Sequence, residues 1–590
     1  MHPAYIVGGV FSVLLPALAA PATGNNMQAR YPTTGQSKDV IIQLFQWNWN
    51  SVAAECTTFI GPAGYGFAQV SPAQESIQGA QWSSSYSPVS YIIDNKLGTR
   101  AEYEAMVSAC NAAGVGVIAD AVLNHMSGSA FGEPGDAAGS TFSTFAYPAV
   151  PWVADNFHYC GDGNDGSGDS NWVDDYTNRT NVQQCELGGL EDLATDTASV
   201  RTIQAAYLND LMSLGVKGFR FDAATWIAAA DLAAIVGQLK TKATYITQET
   251  HWIEDCPILP TEYTSIGDAQ EFRYVVALKA AFLGSSSSIS TLENLNSQGW
   301  VDGSVANVFV ATHDTERDGT SLIYSSPDNT YITASVFSLA HSYGTPTILS
   351  SYSFSDTNAG APNSNTGVCS GSGGLDGWNC QHRYVAITGM VGFHNTASAS
   401  AVVNWAAGSD QQIAFGRGSV AFVAINNDVQ PWSQAFATGL PAGIYCDVIH
   451  GSVVSGVCSS VAYTVSSSGI LNITVSARDA IAVHTNAVVK ASTVSSVTFK
   501  EVETTSNGDN VLVVGSISQL GSWGASAAIP MTAYGYPTWS TTLNLPASTA
   551  FEYKFVKLLA NGTAVFEDGD NRSATTPTAG GSLTISDTWQ

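Results

Sequence analysis

Acidic, histidine and arginine side chains stand where several short apolar runs of this sequence end. They occur in the segments DAVLNH, GFRFDAAT, ITQE and FVATHD, and they are Asp120, Asn124, His125, Arg220, Asp222, Glu249, His313 and Asp314. One acid after an apolar strand is often only the N-cap of the next helix. Four carboxylates, two histidines and an arginine in equivalent positions instead predict a shared catalytic face.

Carboxylates grouped in this way can transfer a sugar. One carboxylate attacks or stabilises an oxocarbenium-like centre, while a second, kept protonated, donates its proton to the leaving oxygen. Arg220 stands two residues before Asp222 on a predicted strand and therefore on the same face, where its charge can keep Asp222 ionised. We expect glycosyl transfer on a neutral polyol.

The composition agrees with a neutral substrate. The chain has 590 residues, of which 45% are hydrophobic and 12% charged, and this excludes intrinsic disorder. Lys and Arg number 21 against 48 Asp and Glu, giving a net charge of −27. Such a surface repels a phosphate backbone and gains nothing from anionic lipid. We therefore expect neither a nucleic-acid partner nor a membrane partner.

Eight short β-like runs must position these side chains. They are Val40–Phe45, Gly66–Val70, Val115–Val122, Gly218–Phe221, Ala243–Thr247, Ser265–Ala269, Val305–Val310 and Pro346–Leu349. Amphipathic segments such as Arg100–Ala112, Ser199–Leu214 and Ala228–Lys242 lie between several of them. This alternation predicts an α/β fold with a parallel sheet. Eight rounds favour a closed (β/α)8 TIM barrel over a doubly wound open sheet.

The rest of the chain divides by composition. We assign 1–20 to a signal peptide, 31–390 to the barrel, 124–198 to a small inserted domain after strand 3, 391–484 to a C-terminal antiparallel all-β domain, 485–495 to a short linker and 496–590 to a terminal β-sandwich. The first 20 residues are apolar and end in small residues, which favours a cleaved signal over a membrane anchor. We therefore expect a secreted, extracellular protein.

Nine cysteines fit an oxidising compartment, where disulfides are the default. Neighbouring residues suggest the pairs Cys160–Cys185, Cys369–Cys380 and Cys446–Cys458, with Cys56–Cys110 closing a longer loop. Cys256 is then left over. Sequons at Asn178, Asn472, Asn561 and Asn571 are compatible with glycosylation.

The four segments that open this section also resemble the alpha-amylase family of retaining glycoside hydrolases, family 13. The resemblance runs from about Val40 to His484. QLFQW, QVSP and YSPVSY look most like its animal and actinobacterial branch. It implies that Asp222 is the nucleophile, Glu249 the general acid/base and Asp314 the transition-state stabiliser. It also implies that Arg220, His125, His313 and Asp120 contact or shape the sugar site and that Tyr86 stacks on a sugar ring, with Trp82 nearby.

The same resemblance implies ions. Calcium would lie between the barrel and the inserted domain, held by the side chains of Asn124 and Asp192 and by the carbonyls of Gln183 and Trp226. The similar branch often holds chloride with an arginine, an asparagine and a further basic residue. Here Arg220 remains, but Thr312 and Thr347 align with the other two, so chloride is not expected.

Two departures from the family concern sugar contacts. The family often has Lys-His after the nucleophile segment, where this chain has Thr225–Trp226, so contacts on the leaving-group side are in doubt. The aromatic pair expected before Tyr86 is reduced to Trp82 followed by Ser83.

The terminal unit resembles a starch-binding module of carbohydrate-binding family 20, on VGSISQLGSWG, FEYKFV, EDGDNR and DTW. The resemblance implies that Trp523 and Phe566 are stacking platforms, that Lys554 and Asn571 bind hydroxyls, and that Tyr534 or Tyr536 forms a second site.

Together these resemblances imply a secreted, monomeric, calcium-binding endo-hydrolase of α-1,4-glucosidic bonds in starch, with starch and α-1,4-glucan oligosaccharides as partners. Two alternatives stay open: a transglycosylase of the same family, and a non-catalytic glucan-binding protein. The sizes of the products formed from soluble starch would separate the three.

Overall fold

We describe a computed structural model of the chain for residues 38–128, 138–160, 171–489, 494–506, 508–578 and 581–590. The predicted signal peptide lies outside the described residues. The main element is a closed barrel of eight parallel strands. They are β1 Ile41–Leu44, β2 Phe67–Val70, β3 Gly116–Ala121, β4 Gly218–Phe221, β5 Tyr245–Gln248, β6 Asp268–Gln270, β7 Ala306–Phe309 and β8 Thr345–Ser350.

The barrel closes because β1 pairs with both β2 and β8. Ile41 lies opposite Phe67 on one side and Thr347 on the other. Almost every residue of the eight strands is buried, since side chains fill the interior and helices cover the outside. Strands covered on both faces read as continuous apolar runs rather than as alternating ones. Each of the eight runs predicted from the sequence overlaps one barrel strand, so the predicted fold class is confirmed.

The described chain has nine α-helices of four or more residues. They are α1 Trp49–Glu55, α2 Arg100–Ala112, α3 Arg179–Gln184, α4 Ala198–Ser213, α5 Ala229–Val236, α6 Phe272–Leu283, α7 Thr315–Asp318, α8 Thr330–Ala340 and α9 Val385–Ala397. Helix α2 begins at a capping box, in which Thr99 and Glu102 satisfy each other's backbone N–H groups. Helix α5 ends six residues before the predicted Lys242, because the segment after Gly237 is mostly exposed and has little apolar surface to bury.

Four disulfides join the predicted pairs, Cys56–Cys110, Cys160–Cys185, Cys369–Cys380 and Cys446–Cys458. The first ties the end of α1 to α2, and the second closes the inserted domain just after α3. Cys256 is free and buried.

The C-terminal β domain contains two antiparallel sheets. In spatial order, the first has Val402–Ser409, Gln412–Arg417, Ala421–Asn426 and Asp479–His484, and the second has Trp432–Ala437, Ile470–Val475, Ala462–Val465, Gly443–Cys446 and Val488–Val489. Two predicted boundaries therefore differ from the structure. Helix α9 continues past residue 391 to Ala397, and part of the predicted linker, Val488–Val489, pairs with Gly443–Cys446 as an edge strand.

The terminal unit is a β-sandwich with its own apolar core. One sheet has Thr532–Gly535, Thr538–Pro546, Val494–Val502 and Ser582–Thr588, and the other has Ile529–Pro530, Asn510–Gly515, Ala550–Leu558 and Ala564–Phe566, with Arg572–Thr575 also pairing with Ala550–Leu558. In the described part of the chain, no helix combines the length and apolar character that a membrane span needs.

Candidate active site

The predicted acids lie at the carboxyl ends of neighbouring barrel strands. Asp120 is in β3 and faces Arg220 in the register of β4. Asp222 directly follows β4, and Glu249 directly follows β5. Asp314 comes after β7, at the start of α7. Because parallel strands end at the same edge of a barrel, these side chains meet there.

Arg220 is the centre of this group. Its Nη1 donates to Oδ1 of Asp120 at 2.8 Å and to Oδ1 of Asp222 at 2.7 Å. Its Nη2 lies 3.0 Å from Oε2 of Glu249. The arginine side chain is only 3% exposed, so these contacts form away from bulk water. One guanidinium thus holds three carboxylates together.

A single positive charge does not balance this many acids. Burial, with repulsion from neighbouring carboxylates, raises the pKa of Asp222 despite the opposing charge of Arg220, and it raises the pKa of Asp314 to about 7. Burial acts the same way on Glu249, but Arg220 and a hydrogen bond from His251 lower its pKa below the ordinary value. Arg220 lowers the pKa of Asp222, as the sequence predicts, but burial and the nearby carboxylates of Glu249 and Asp120 act against it.

The backbone that directly follows Asp222 is shaped to hold the carboxylate of Glu249. Ala223 has a left-handed conformation with φ 48°, which is strained for a residue with a Cβ atom, and its N–H donates to Oε2 of Glu249 at 2.7 Å. Nε2 of His251 lies 3.2 Å from Oε1 of the same side chain. The backbone N–H of His251 in turn donates to the hydroxyl of Thr225 at 2.7 Å. His251 was not predicted as a site residue, although it stands two residues after Glu249.

The predicted sugar-contacting residues form one aromatic and polar wall. Tyr86 donates its hydroxyl to Oδ2 of Asp120 at 2.9 Å and stacks on His313, with ring centroids 5.2 Å apart. Trp82 lies edge-on to Tyr86, with a centroid distance of 5.8 Å. Nε2 of His125 lies 3.0 Å from the carbonyl oxygen of Tyr86. Phe45 also stacks on His313, with ring centroids 4.6 Å apart. The five predicted residues of this wall therefore form one connected group, and they are Trp82, Tyr86, Asp120, His125 and His313.

A buried arginine supports this wall and was missed by sequence analysis. Arg317, three residues after Asp314, donates to the carbonyl of His313 at 2.7 Å. Its guanidinium lies 4.7 Å from the ring centroid of Phe45 and 4.5 Å from that of Phe354. Cation–π contacts of this kind hold in place the ring of Phe45, which stacks on His313.

The two positions aligned with an anion site carry neutral hydrogen-bonded groups. The hydroxyl of Thr347 accepts from Nδ2 of Asn307 at 2.8 Å. The hydroxyl of Thr312 bonds with Thr315. Neither side chain adds a positive charge beside Arg220.

The predicted calcium ligands lie where the barrel meets the inserted domain. The N–H of Leu193 donates to the carbonyl of Asn124 at 2.9 Å, which places Asp192 beside the end of β3. Asp192 is 1% exposed, and its Oδ1 has no hydrogen-bond partner among the described residues. Its Oδ2 lies 2.7 Å from Nδ1 of His158. A buried carboxylate oxygen without a partner suits a hard cation.

The other two predicted ligands belong to the same junction. Gln183, in α3, lies beside the turn Ala224–Trp226, and its Nε2 is 3.5 Å from the carbonyl of Thr225. The hydroxyl of Tyr263 donates to the carbonyl of Ile227 at 2.7 Å and fixes this turn. Gln183 and Trp226 therefore lie where the inserted domain meets the barrel, and that their carbonyls join Asn124 and Asp192 in one site stays a prediction.

Two of the predicted starch platforms of the terminal unit are presented to solvent. Trp523 is partly exposed and ends a turn in which Gly521, Ser522 and Trp523 have φ of 75°, 47° and 66°. Such strain in residues other than glycine is typical of binding sites. Phe566 is 40% exposed. Tyr536 is 53% exposed, whereas the side chain of Tyr534 lies outside the described part of the structure.

The predicted polar contacts of the terminal unit are already used within it. The ammonium group of Lys554 donates to the carbonyls of Glu567, Asp568 and Gly569, and Asn571 donates to Glu552 at 3.0 Å. Lys554 therefore holds the turn that follows Phe566. Direct contact of either residue with a hydroxyl stays a prediction.

Comparisons with known proteins agree with this geometry. Residues 78–256 match the alpha amylase catalytic domain, residues 403–486 the alpha amylase C-terminal all-beta domain and residues 494–586 the starch binding domain. The chain is 42% identical over 591 residues to an alpha-amylase of Streptomyces violaceus, covering 98% of each. It is 38% identical to an alpha-amylase of Tenebrio molitor, covering 76% of this chain and 98% of that one. An X-ray structure of a mutant of alpha-amylase I from Eisenia fetida with maltohexaose is 32% identical, with a TM-score of 0.69, covering 77% of this chain and 98% of that one.

Proposed function

The chain belongs to the alpha-amylase family, and from this premise we propose that it cleaves internal α-1,4-glucosidic bonds of starch and related α-glucans with retention of configuration. The family and the starch-binding domain make starch hydrolysis its reaction. The observation that carries the finer proposal is the shared guanidinium of Arg220, which binds both Asp222 and Glu249. Two carboxylates held close together at one edge are what a retaining mechanism requires.

The proposed reaction has two steps. In the first, the carboxylate of Asp222 attacks the anomeric carbon while Glu249 gives its proton to the glycosidic oxygen. The bond between the anomeric carbon and the glycosidic oxygen breaks, and the leaving chain departs as an alcohol. In the second, Glu249 takes a proton from water, the water oxygen attacks the anomeric carbon and Asp222 is released. The negative charge of Asp314 stabilises the oxocarbenium-like transition state of both steps.

The shared proton of the acid group must lie on Glu249 when the bond breaks. Positive charge developing at the anomeric carbon as the bond breaks favours the carboxylate form of Asp222, which leaves the proton of the group to Glu249.

We propose that the sugar unit attacked by Asp222 lies on the wall formed by Tyr86, His313 and Trp82. The ring of Tyr86 offers a flat apolar surface for a sugar face, while Asp120, His125 and His313 supply polar contacts for hydroxyl groups. The wall is tied to the loop that contains Thr357, because Nε1 of Trp82 donates to the carbonyl of Thr357 at 2.8 Å. A rigid wall reduces the entropy lost when the substrate binds.

We propose that calcium binds Asn124, Asp192 and the carbonyls of Gln183 and Trp226. When bound, it would join the inserted domain to the barrel and so stabilise the cleft without taking part in the reaction. Its support is the buried Oδ1 of Asp192, which has no protein partner in the described chain. Chloride is not required in this proposal, because Thr312 and Thr347 add no positive charge.

The remaining parts of the proposal concern location and attachment. An apolar leader and four disulfides support secretion. We also propose that the protein acts as a monomer. The terminal unit would hold the enzyme on starch granules through Trp523 and Phe566.

The test is incubation with soluble starch, followed by sizing of the products and by NMR of the new reducing ends at early times. The proposal predicts oligosaccharides of many lengths that are released as the α-anomer. Initial β-anomer would contradict retention. Products longer than the substrate would favour a transglycosylase, and no cleavage would favour a glucan-binding protein.

A further inference from the structure

A second aromatic surface lies on the opposite side of the cleft from Tyr86 and Trp82. Those two residues follow β2, whereas Trp226, His251 and Phe272 follow β4, β5 and β6, across the barrel. His251 stacks on Phe272 with ring centroids 4.0 Å apart and lies 5.8 Å from Trp226. This aromatic surface starts beside Glu249, the proposed proton donor to the leaving oxygen. It therefore lies on the side of the leaving chain.

Trp252 extends this surface to the rim. It follows His251 directly and is 44% exposed, which is unusual for so large an apolar ring. Three residues span at most ~11 Å, so Trp252 is within reach of a sugar one or two units beyond the bond cleaved at Glu249.

The ring of Trp252 is supported from below by a fixed charge. The guanidinium of Arg273 lies 5.6 Å from its centroid. Arg273 is clamped by both oxygens of Glu271, at 2.7 and 2.6 Å, and Glu271 is fully buried. The N–H of Val301 donates to the same carboxylate at 3.0 Å. A cation held in place on one side of an indole ring keeps the ring from rotating and leaves its other surface to solvent.

We propose that Trp252, backed by Arg273, is a sugar-stacking platform that binds the leaving-group side of an α-1,4-glucan. The inference rests on the proposed function. Its ligand is a neutral glucosyl unit, since a flat aromatic ring binds the apolar face of a sugar and the remaining rim offers hydrogen bonds. Its neighbour His251 contacts Thr225 and Trp226, which stand where the family often has Lys-His, so the platform would supply contacts on the leaving-group side.

The experiment compares two substrates and three variants. Soluble starch places sugars on the platform, whereas an aryl α-maltotrioside has a nitrophenol leaving group and places none there. We expect Trp252→Ala to lower kcat/KM on soluble starch by about five- to thirtyfold, and on the aryl substrate by less than about twofold. Trp252→Phe should keep most activity on both. Trp172→Ala, which removes an exposed tryptophan from the inserted domain, is the matched control and should change neither.

A second readout is the bond cleaved in maltoheptaose labelled at its reducing end. Loss of the platform should move cleavage toward the reducing end, because fewer units are then bound on the leaving-group side. An unchanged Trp252→Ala enzyme, or an equal loss on starch and on the aryl substrate, would overturn the inference. Failure of the proposed function would appear differently, as a wild-type enzyme that does not cleave soluble starch.

Discussion

Nη2 of Arg220 lies 3.0 Å from Oε2 of Glu249 in the free site, so the proposed proton donor is ion-paired directly with the arginine beside the nucleophile. An anion placed next to this arginine would compete with Glu249 for its charge. The two positions that align with the rest of the anion site hold the neutral residues Thr312 and Thr347, which underlies our proposal that chloride is not required.

The first prediction follows from this contact. We expect that adding chloride to chloride-free enzyme changes turnover by less than about twofold and leaves the pH–activity profile in place. A large rise in turnover with chloride, or an alkaline shift of the pH–activity profile, would refute this prediction.

The second prediction concerns calcium. A cation bound between the barrel and the inserted domain stabilises the folded state by mass action, by about 2.7 kcal/mol when its free concentration is 100 times Kd. Chelation should lower the Tm by several degrees, and Asp192→Asn should remove most of this difference. Asp196→Asn, which also touches His158 but is more exposed, is the control and should keep it. Equal melting with and without chelator in the wild type would rule the site out.

The third prediction separates the starch-binding unit from the barrel. Truncation after Lys490 keeps the edge strand Val488–Val489 and removes a sandwich with its own core, so turnover on soluble starch should change by less than about twofold. Adsorption to raw granules should fall sharply, because the unit only raises the effective concentration at the surface. Trp523→Ala in the full chain should weaken adsorption in the same direction. If the truncated enzyme adsorbs as well as the full chain, the unit does not anchor it.

The fourth prediction concerns Glu501 in the core of the sandwich. Its side chain is fully buried, and neither oxygen has a hydrogen-bond partner in the described chain. Burial, with the charge of Glu567, raises its pKa to about 8. The folded unit therefore keeps a proton that the unfolded chain loses above its ordinary pKa, and its stability falls as pH rises from there to about 8.

Replacing Glu501 by Gln should remove this loss. Calorimetry of the full chain should show the melting temperature of the sandwich rising at pH 7.5 and changing little at pH 4. Asp570→Asn, which alters an exposed carboxylate of the same unit, is the control and should show no such gain at pH 7.5. A Glu501→Gln variant that gains equally at both pH values would contradict the assignment.

The barrel could be predicted from the sequence because its strands are buried on both faces and therefore appear as separate apolar runs. The site residues could be found because they stand at the carboxyl ends of these runs. It could not predict contacts that depend on the folded backbone. The left-handed Ala223 and the position of Arg317 beneath four rings have no periodic signal. A two-residue spacing places Arg220 beside Asp222, but it does not show that Asp120 and Glu249 share the same guanidinium.

The most direct test of the account is the turnover of Asp222→Asn on soluble starch. This change keeps the shape of the side chain and its place beside Arg220 but removes the attacking carboxylate, so turnover should fall by several orders of magnitude while the Tm stays close to that of the wild type. Asp210→Asn, which breaks an exposed ion pair with Arg100, is the matched control and should be fully active. An Asp222→Asn enzyme with near-normal turnover would contradict the assignment of this barrel edge as the catalytic site.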